Sequence, residues 1–157
     1  MKLTRRPGGR LVVELGRREG NLLLLVLKQY PCLPPAHQPL SKSGLLPNQQ
    51  DTQQLLDEAL AEQRAECKKQ LRALLADPQR FKKKTDGYRL SLSPGDAEWL
   101  LQVLNDIRVG SWVILGSPEG RVEGLNVENA KNYWAMEMAG AFQAELVAAL
   151  DDEWDGP

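Results

Sequence analysis

The hydrophobic pattern predicts that the chain begins with a β-hairpin. "KLTRRPGGRLVVEL" places two strand-prone runs on either side of Pro7-Gly8-Gly9, where glycine can reach positive φ without a Cβ clash. We expect these strands near 2–6 and 10–15. Further along, "GYRLSLSP" alternates apolar and polar positions with a period of two, which predicts a third strand at 88–92.

Apolar residues at helical spacing predict four helices. The first, near 17–29, has leucines too continuous to define one face, so we expect it to be well buried, with a strand as the competing interpretation. The second is predicted at 51–76, and Pro78 ends it. Its predicted packed stripe consists of Leu56, Leu60, Cys67, Leu71 and Leu74. A last helix is predicted at 127–150.

The third predicted helix has the clearest start signal in the chain. Ser93 is a typical N-cap, Pro94 suits the first turn because its missing N–H costs nothing there, and Asp96 can bond back to the cap. The helix should run to about 115, where Gly116 and Pro118 end it. Its predicted buried stripe consists of Leu100, Val103, Leu104, Ile107 and Ile114.

These elements predict an α+β fold in a single domain spanning 1–157. The expected core is a small three-stranded antiparallel sheet, the N-terminal hairpin plus one later strand, packed against about four helices. Residues 31–50 hold half of the ten prolines, so no long regular element fits there. We interpret them as a proline-rich loop, either a functional segment or a plain connector, and 151–157 as an acidic tail.

Composition excludes several classes of protein. No apolar run approaches the roughly 20 residues that a membrane span needs, and the start of the chain has no secretory pattern. Two cysteines, Cys32 and Cys67, do not make a disulfide scaffold. We therefore expect a cytoplasmic protein with free thiols and no membrane association.

Charge is unevenly distributed although the net charge is only −1. Residues 1–30 and 66–84 each carry an excess of five basic residues, while 119–157 carry an excess of seven acidic ones. This polarity could attract an anionic partner to one face, or it could draw the two halves together across the fold.

One polar cluster interrupts the third helix. Asn105, Asp106 and Arg108 stand in "LNDIRVGSW", and an arginine buried there would need a carboxylate, since an unpaired buried charge is costly. Glu137, in the apolar stretch "YWAMEMAG", is the candidate partner, because Gly110 and Gly140 would let the two helices approach closely. We expect a buried Arg108–Glu137 network that fixes the helix crossing. The alternative is a ligand or partner site.

Other candidate chemistry is weak. His37 is the single histidine, so a Ser-His-Asp triad would have to use a residue of the proline-rich loop, which argues against one. Together with Cys32 it supplies too few ligands for a structural zinc site. We predict no catalytic residues, no metal and no cofactor. A candidate basic patch, for nucleic acid or as a solvated charge run, consists of Lys68, Lys69, Arg72, Lys82, Lys83 and Lys84.

Several segments together resemble an uncharacterised bacterial family, the DUF2017-like domains of unknown function. They are the basic hairpin, "PLSKSGLLP", the charged helix after it, "LSLSPGDAEWLLQVLNDIR" and "YWAMEMAGAFQAELVAAL". The segment at 30–39 departs from the family by its length. The resemblance implies no catalytic residues, but family members are often encoded beside the adaptor of the Clp protease, and some are labelled regulators.

We therefore expect a non-enzymatic protein-binding or regulatory domain, associated with regulated Clp-type proteolysis, with a protein partner or a second copy of the chain. Its contact surface would be the exposed faces of the second helix and the 31–50 loop. One alternative is a nucleic-acid-associated regulator that uses the basic region at 68–84. Another is an enzyme or small-ligand binder around Asn105 and Arg108.

Overall fold

The structure, a computed structural model, describes residues 1–32, 49–120 and 124–151. Most of the predicted proline-rich loop and nearly all of the predicted acidic tail lie outside these residues. The strands are β1 (Lys2–Arg5), β2 (Leu11–Gly16), β3 (Phe81–Lys83) and β4 (Gly87–Leu92). The helices are α1 (Arg17–Leu27), α2 (Gln49–Ala76), α3 (Pro94–Ile114) and α4 (Val127–Asp151).

The sheet is antiparallel and has four strands in the order β1-β2-β4-β3, so the α+β class is confirmed and the count of three strands was too low. The missed strand is β3, three residues of which two are lysines. It pairs with β4 at the edge of the sheet, where lysine side chains reach water and discourage pairing with further strands. Its basic composition therefore hid it from a search for apolar alternation.

The two central strands of the sheet supply one side of the core. On their inner face every large side chain is buried, because the period of two sends alternate residues toward the helices. These residues form the cross-strand pairs Leu11–Leu92, Val13–Leu90 and Leu15–Tyr88.

Helix α1 lies directly on β4 because Gly20 has no side chain. A Cβ at Gly20 would stand 2.0 Å from Cδ2 of Tyr88, so the tyrosine ring occupies the space that any other residue would need. The Tyr88 hydroxyl donates a 2.7 Å hydrogen bond to Oδ1 of Asn21, and Phe81 stacks on the same ring at a centroid distance of 5.4 Å. This contact fixes the first turn of α1 on the sheet.

The predicted start of α3 is confirmed. Oγ of Ser93 accepts a 3.1 Å hydrogen bond from the Asp96 amide, and the Asp96 carboxylate accepts one of 3.0 Å from the Ser93 amide. Four members of the predicted stripe are buried, but Ile114 is 47% exposed, because it lies in the last turn of the helix beyond the core.

Helix α2 differs from its prediction in how much of it is packed. At 28 residues it is about 42 Å long, yet Leu71 and Leu74 near its C-terminal end are its buried apolar residues among those described. Leu56 and Leu60, expected on a packed stripe, are only half-buried. Most of α2 therefore presents side chains to solvent.

Arg5 of the basic start of the chain contacts the acidic half. The Arg5 guanidinium donates hydrogen bonds to the carbonyls of Ala149 and Leu150, at 3.4 and 3.2 Å. A cation here satisfies carbonyls that the end of a helix leaves without partners, and it complements the negative end of the helix dipole. The contact ties β1 to the last turn of α4.

Within the described ranges, no helix combines the length and the apolar character that a membrane crossing requires.

Candidate functional site

An open cleft of about 640 Å³ lies between α3 and α4. Each helix contributes to it one charged side chain among apolar ones. Its lining residues are Arg108, Val109, Trp112, Met136, Glu137, Gly140 and Ala141.

Arg108 is exposed in this cleft, and the predicted buried ion pair with Glu137 is wrong. The guanidinium donates a 2.9 Å hydrogen bond to Oδ1 of Asn105, which precedes it by three residues on the same helix. Glu137 is also exposed, and no ion pair joins the two side chains across the described cleft. Both residues lie at the edge of the contact between α3 and α4. Each charged group therefore stays in water and avoids the free-energy cost of desolvation.

The polar link between the two helices is made by another pair. Asn105 is half-buried, and its Oδ1 also accepts a 3.5 Å hydrogen bond from the side-chain amide of Gln143 on α4. The sequence analysis missed Gln143. Its place three positions after Gly140, on the side of α4 that also bears the half-buried Phe142, was the available signal.

The stem of Arg108 packs against α4 at Gly140. A Cβ at position 140 would stand 3.4 Å from Cδ of Arg108, so the aliphatic part of the arginine rests against the α4 backbone. The charged end then continues outward to Asn105 and the solvent. Arginine commonly divides in this way between an apolar stem and a hydrated head.

The apolar part of the cleft is unusually accessible. Trp112 is 39% exposed and Val109 is 41% exposed, and both project from the same stretch of α3 as Arg108. The Trp112 indole N–H donates a 3.1 Å hydrogen bond to the Pro118 carbonyl, which holds the ring in place. The cleft thus offers a fixed aromatic surface beside two charges of opposite sign.

Asp106 does not line this cleft. It lies on the side of α3 that faces Tyr30, Cys32 and Arg64, and partial burial raises the pKa of its carboxyl while Arg64 acts in the opposite direction. The predicted cluster is therefore divided: Arg108 and Glu137 line the cleft, Asn105 is hydrogen-bonded to Arg108, and Asp106 does not line the cleft.

Ser111 and Cys32 form a small buried contact near Asp106. Ser111 is fully buried, and its Oγ lies 3.8 Å from Sγ of Cys32, whose thiol also contacts the carbonyls of Gln29 and Ile107. Burial raises the pKa of the Cys32 thiol. A buried protonated thiol is a poor nucleophile, so this pair is structural in character.

The predicted basic patch does not form one continuous surface. Lys68 and Arg72 lie in a groove between α1 and α2. On β3, Lys82 and Lys83 are directed to opposite faces of the sheet, because successive residues of a strand alternate. Lys84 forms an ion pair with Glu14, with 3.3 Å between Nζ and Oε1. The Glu14 carboxylate also accepts hydrogen bonds from the Arg89 guanidinium. Arg89 and Lys84 together lower the pKa of that carboxyl.

Both cysteines are free thiols. Across the described residues, no group of three or more His, Cys, Asp or Glu side chains is arranged to hold a metal ion. His37 lies outside the described residues, so the structure adds nothing to its assignment.

Comparison with known proteins gives this site no precedent: no protein-family model, curated protein or solved structure matches the chain.

Proposed function

We propose that the chain is a non-enzymatic protein-binding domain whose cleft between α3 and α4 receives an amphipathic helix of a partner protein. The observation that carries the proposal is the pairing of accessible Val109 and Trp112 with the exposed charges of Arg108 and Glu137. Exposed apolar side chains in one concave place, rimmed by polar groups, are typical of protein interaction sites.

The shape of the cleft favours a helix as the bound element. Its walls are two packed helices, and a partner helix that lays its apolar side between them would use the common helix-in-groove mode. Covering the exposed part of Trp112 would contribute about 2 kcal/mol from apolar area alone. Trp112 is therefore the expected energetic centre of the contact.

The two charges would set the orientation of the partner. Arg108 lies on α3 and Glu137 on α4, so a helix with a carboxylate toward α3 and a cation toward α4 would pair with both. Such complementary charges contribute to specificity more than to affinity. We expect the partner helix to carry opposite charges on its two flanks.

A regulatory role in Clp-type proteolysis, in the cytoplasm, is the second part of the proposal. It is supported by the family resemblance alone, through the encoding of family members beside a protease adaptor. That warrant is one of association, so it names a place to look for the partner and no mechanism.

Site-specific photo-crosslinking tests the binding proposal. A benzoylphenylalanine in place of Ala141, an exposed lining residue, should capture one partner in cells, and the same probe in place of Leu55 serves as the control. Leu55 is 66% exposed and lies on α2, away from the cleft. The captured protein is then purified, and its affinity for the unlabelled chain is measured by calorimetry.

Two variants decide the result. Trp112→Ala should weaken binding of the purified partner by roughly tenfold or more, and Arg108→Glu should be rescued by reversing a carboxylate on the partner. Unchanged affinity of both variants would overturn the proposal, as would a crosslink from position 55 equal to that from position 141.

A small carboxylate ligand is the second candidate, because Arg108 is exposed in a cleft whose volume lies within the range of about 300–1,000 Å³ usual for ligand sites. A ligand of this kind would raise the melting temperature of the chain when added alone, and Arg108→Gln would remove that shift. The nucleic-acid alternative loses support because its basic residues are divided among separate surfaces.

A further inference from the structure

We propose a second binding site, the groove between α1 and α2, which takes an acidic peptide segment of a partner protein through one apolar anchor residue. The groove has a volume of about 290 Å³. It lies on different helices from the cleft above, and the inference does not depend on the function proposed for that cleft.

The floor of the groove is apolar. It is built from one side of α1, from Tyr30 shortly after the end of that helix, and from one side of α2, where residues three or four apart share a side of the helix. Leu27, Tyr30 and Leu71 are buried, while the outer members are only half-buried. The floor consists of Leu24, Leu27, Tyr30, Leu71 and Leu75.

The rim of the groove carries three cations. Lys28 ends α1, and Lys68 and Arg72 stand one turn apart on α2, all three exposed. None of these cations forms an ion pair or a side-chain hydrogen bond within the described part of the chain. No acidic residue lines the groove among the residues that the structure describes.

Charge complementarity therefore identifies the occupant as anionic. Three like charges near one apolar depression repel each other, and an incoming carboxylate relieves that repulsion. The apolar floor adds a requirement for a hydrophobic group on the same molecule. An acidic segment with an aromatic or leucine side chain meets both requirements.

The size of the groove favours a peptide anchor over a whole small molecule. Its volume of about 290 Å³ is just below the range of about 300–1,000 Å³ that ligand pockets occupy, so it accommodates a single large side chain. The flanking residues of the peptide would remain on the surface, beside the cations. Affinity would depend on salt, because these charges are exposed.

Fluorescence anisotropy with a labelled synthetic peptide, EEDWLDEE, tests the proposal at low ionic strength. The double variant Lys68→Glu with Arg72→Glu should weaken binding by roughly tenfold or more. Lys69→Glu with Lys83→Glu is the matched control, since it changes the net charge equally at two exposed residues outside the groove, and it should bind nearly as the unaltered chain does. Circular dichroism confirms that each variant is folded.

Two further measurements test the apolar anchor and the peptide character of the occupant separately. Replacing both tryptophan and leucine by serine in the peptide should weaken binding by a similar factor, because the floor then has no apolar side chain to bind. Dodecanoate, an anionic amphiphile without a peptide backbone, should displace the peptide poorly. The proposal is overturned if the peptide does not bind, if both charge variants lose affinity equally, if the serine peptide binds equally well, or if dodecanoate binds more tightly than the peptide.

Discussion

The stem of Arg108 rests on the backbone of α4 at Gly140, with Cδ 3.4 Å from the place that a Cβ on that glycine would occupy. This contact, and not an ion pair with Glu137, is how the arginine joins the two helices. It leaves the guanidinium beside Asn105 at the edge of an open cleft, where it is free to meet a ligand.

Substitution of Gly140 should separate stability from binding. Gly140→Ala fits at ordinary contact distance and removes a flexible residue from a helix interior, so it should raise the free energy of unfolding by up to about 1 kcal/mol. Gly140→Leu should fill the cleft and abolish partner binding while the chain still folds. Urea unfolding measures stability, and calorimetry measures binding. A decrease of more than about 1 kcal/mol in the free energy of unfolding of Gly140→Ala would mean that the methyl group does not fit beside Arg108.

Arg108→Leu should change the free energy of unfolding by less than about 0.5 kcal/mol, because the side chain is exposed and bonds only to its own helix. A buried ion pair would have predicted a loss of several kcal/mol. Leu104→Ala, at a fully buried site on the same helix, is the reference and should cost about 2–5 kcal/mol. Chemical denaturation measures the free energy of unfolding of both variants. Similar decreases in the two variants would favour a buried ion pair of Arg108 with Glu137.

Gly20→Ala should destabilise the chain by about 1–3 kcal/mol, because the new methyl group enters the space of the Tyr88 ring. Gly95→Ala is the control, since the nearest atom to its Cβ is 4.0 Å away. Thermal unfolding followed by circular dichroism measures both. Equal melting temperatures would mean that α1 does not depend on this close approach.

Asp106→Asn should stabilise the chain near neutral pH. The folded-state pKa of Asp106 is raised above 3.8 by burial, so the folded chain binds this proton more tightly than the unfolded chain does. The charged carboxylate therefore reduces stability above its folded-state pKa, and the reduction disappears as pH falls below 3.8. Attraction from Arg64 offsets part of the effect.

Urea unfolding at about pH 3 and about pH 7 checks this sign. Asparagine should be the more stable variant at the higher pH and equal to aspartate at the lower one. A less stable asparagine variant at neutral pH would show that Arg64 dominates.

Local signals predict the secondary-structure elements well, and they predict the packing between elements less well. Ser93, Pro94 and Asp96 act on their own helix turn, so their capping could be predicted without knowing the rest of the fold. The Arg108 pairing could not, because it depends on how α3 and α4 are rotated about their axes. Positions 137 and 143 are about 120° apart around α4, and local sequence signals do not tell which of the two is turned toward α3.

The same limit explains the two errors in the sheet and in α2. A three-residue strand with two lysines carries almost no apolar signal, and its strand state comes from pairing with β4. The stripe of α2 follows helical spacing correctly, but spacing does not say whether another element lies beside it. Burial along α2 is a property of the assembled fold.

The two outer strands also bear on how copies of the chain behave when crowded together. β1 has four residues with exposed Lys2, and β3 has three with exposed Lys82 and Lys83. An incoming strand would gain few hydrogen bonds at these sheet edges and would place its side chains beside ammonium groups. Edge-to-edge polymerisation of the sheet is therefore unfavourable. Copies of the chain should therefore resist sheet extension even at high concentration.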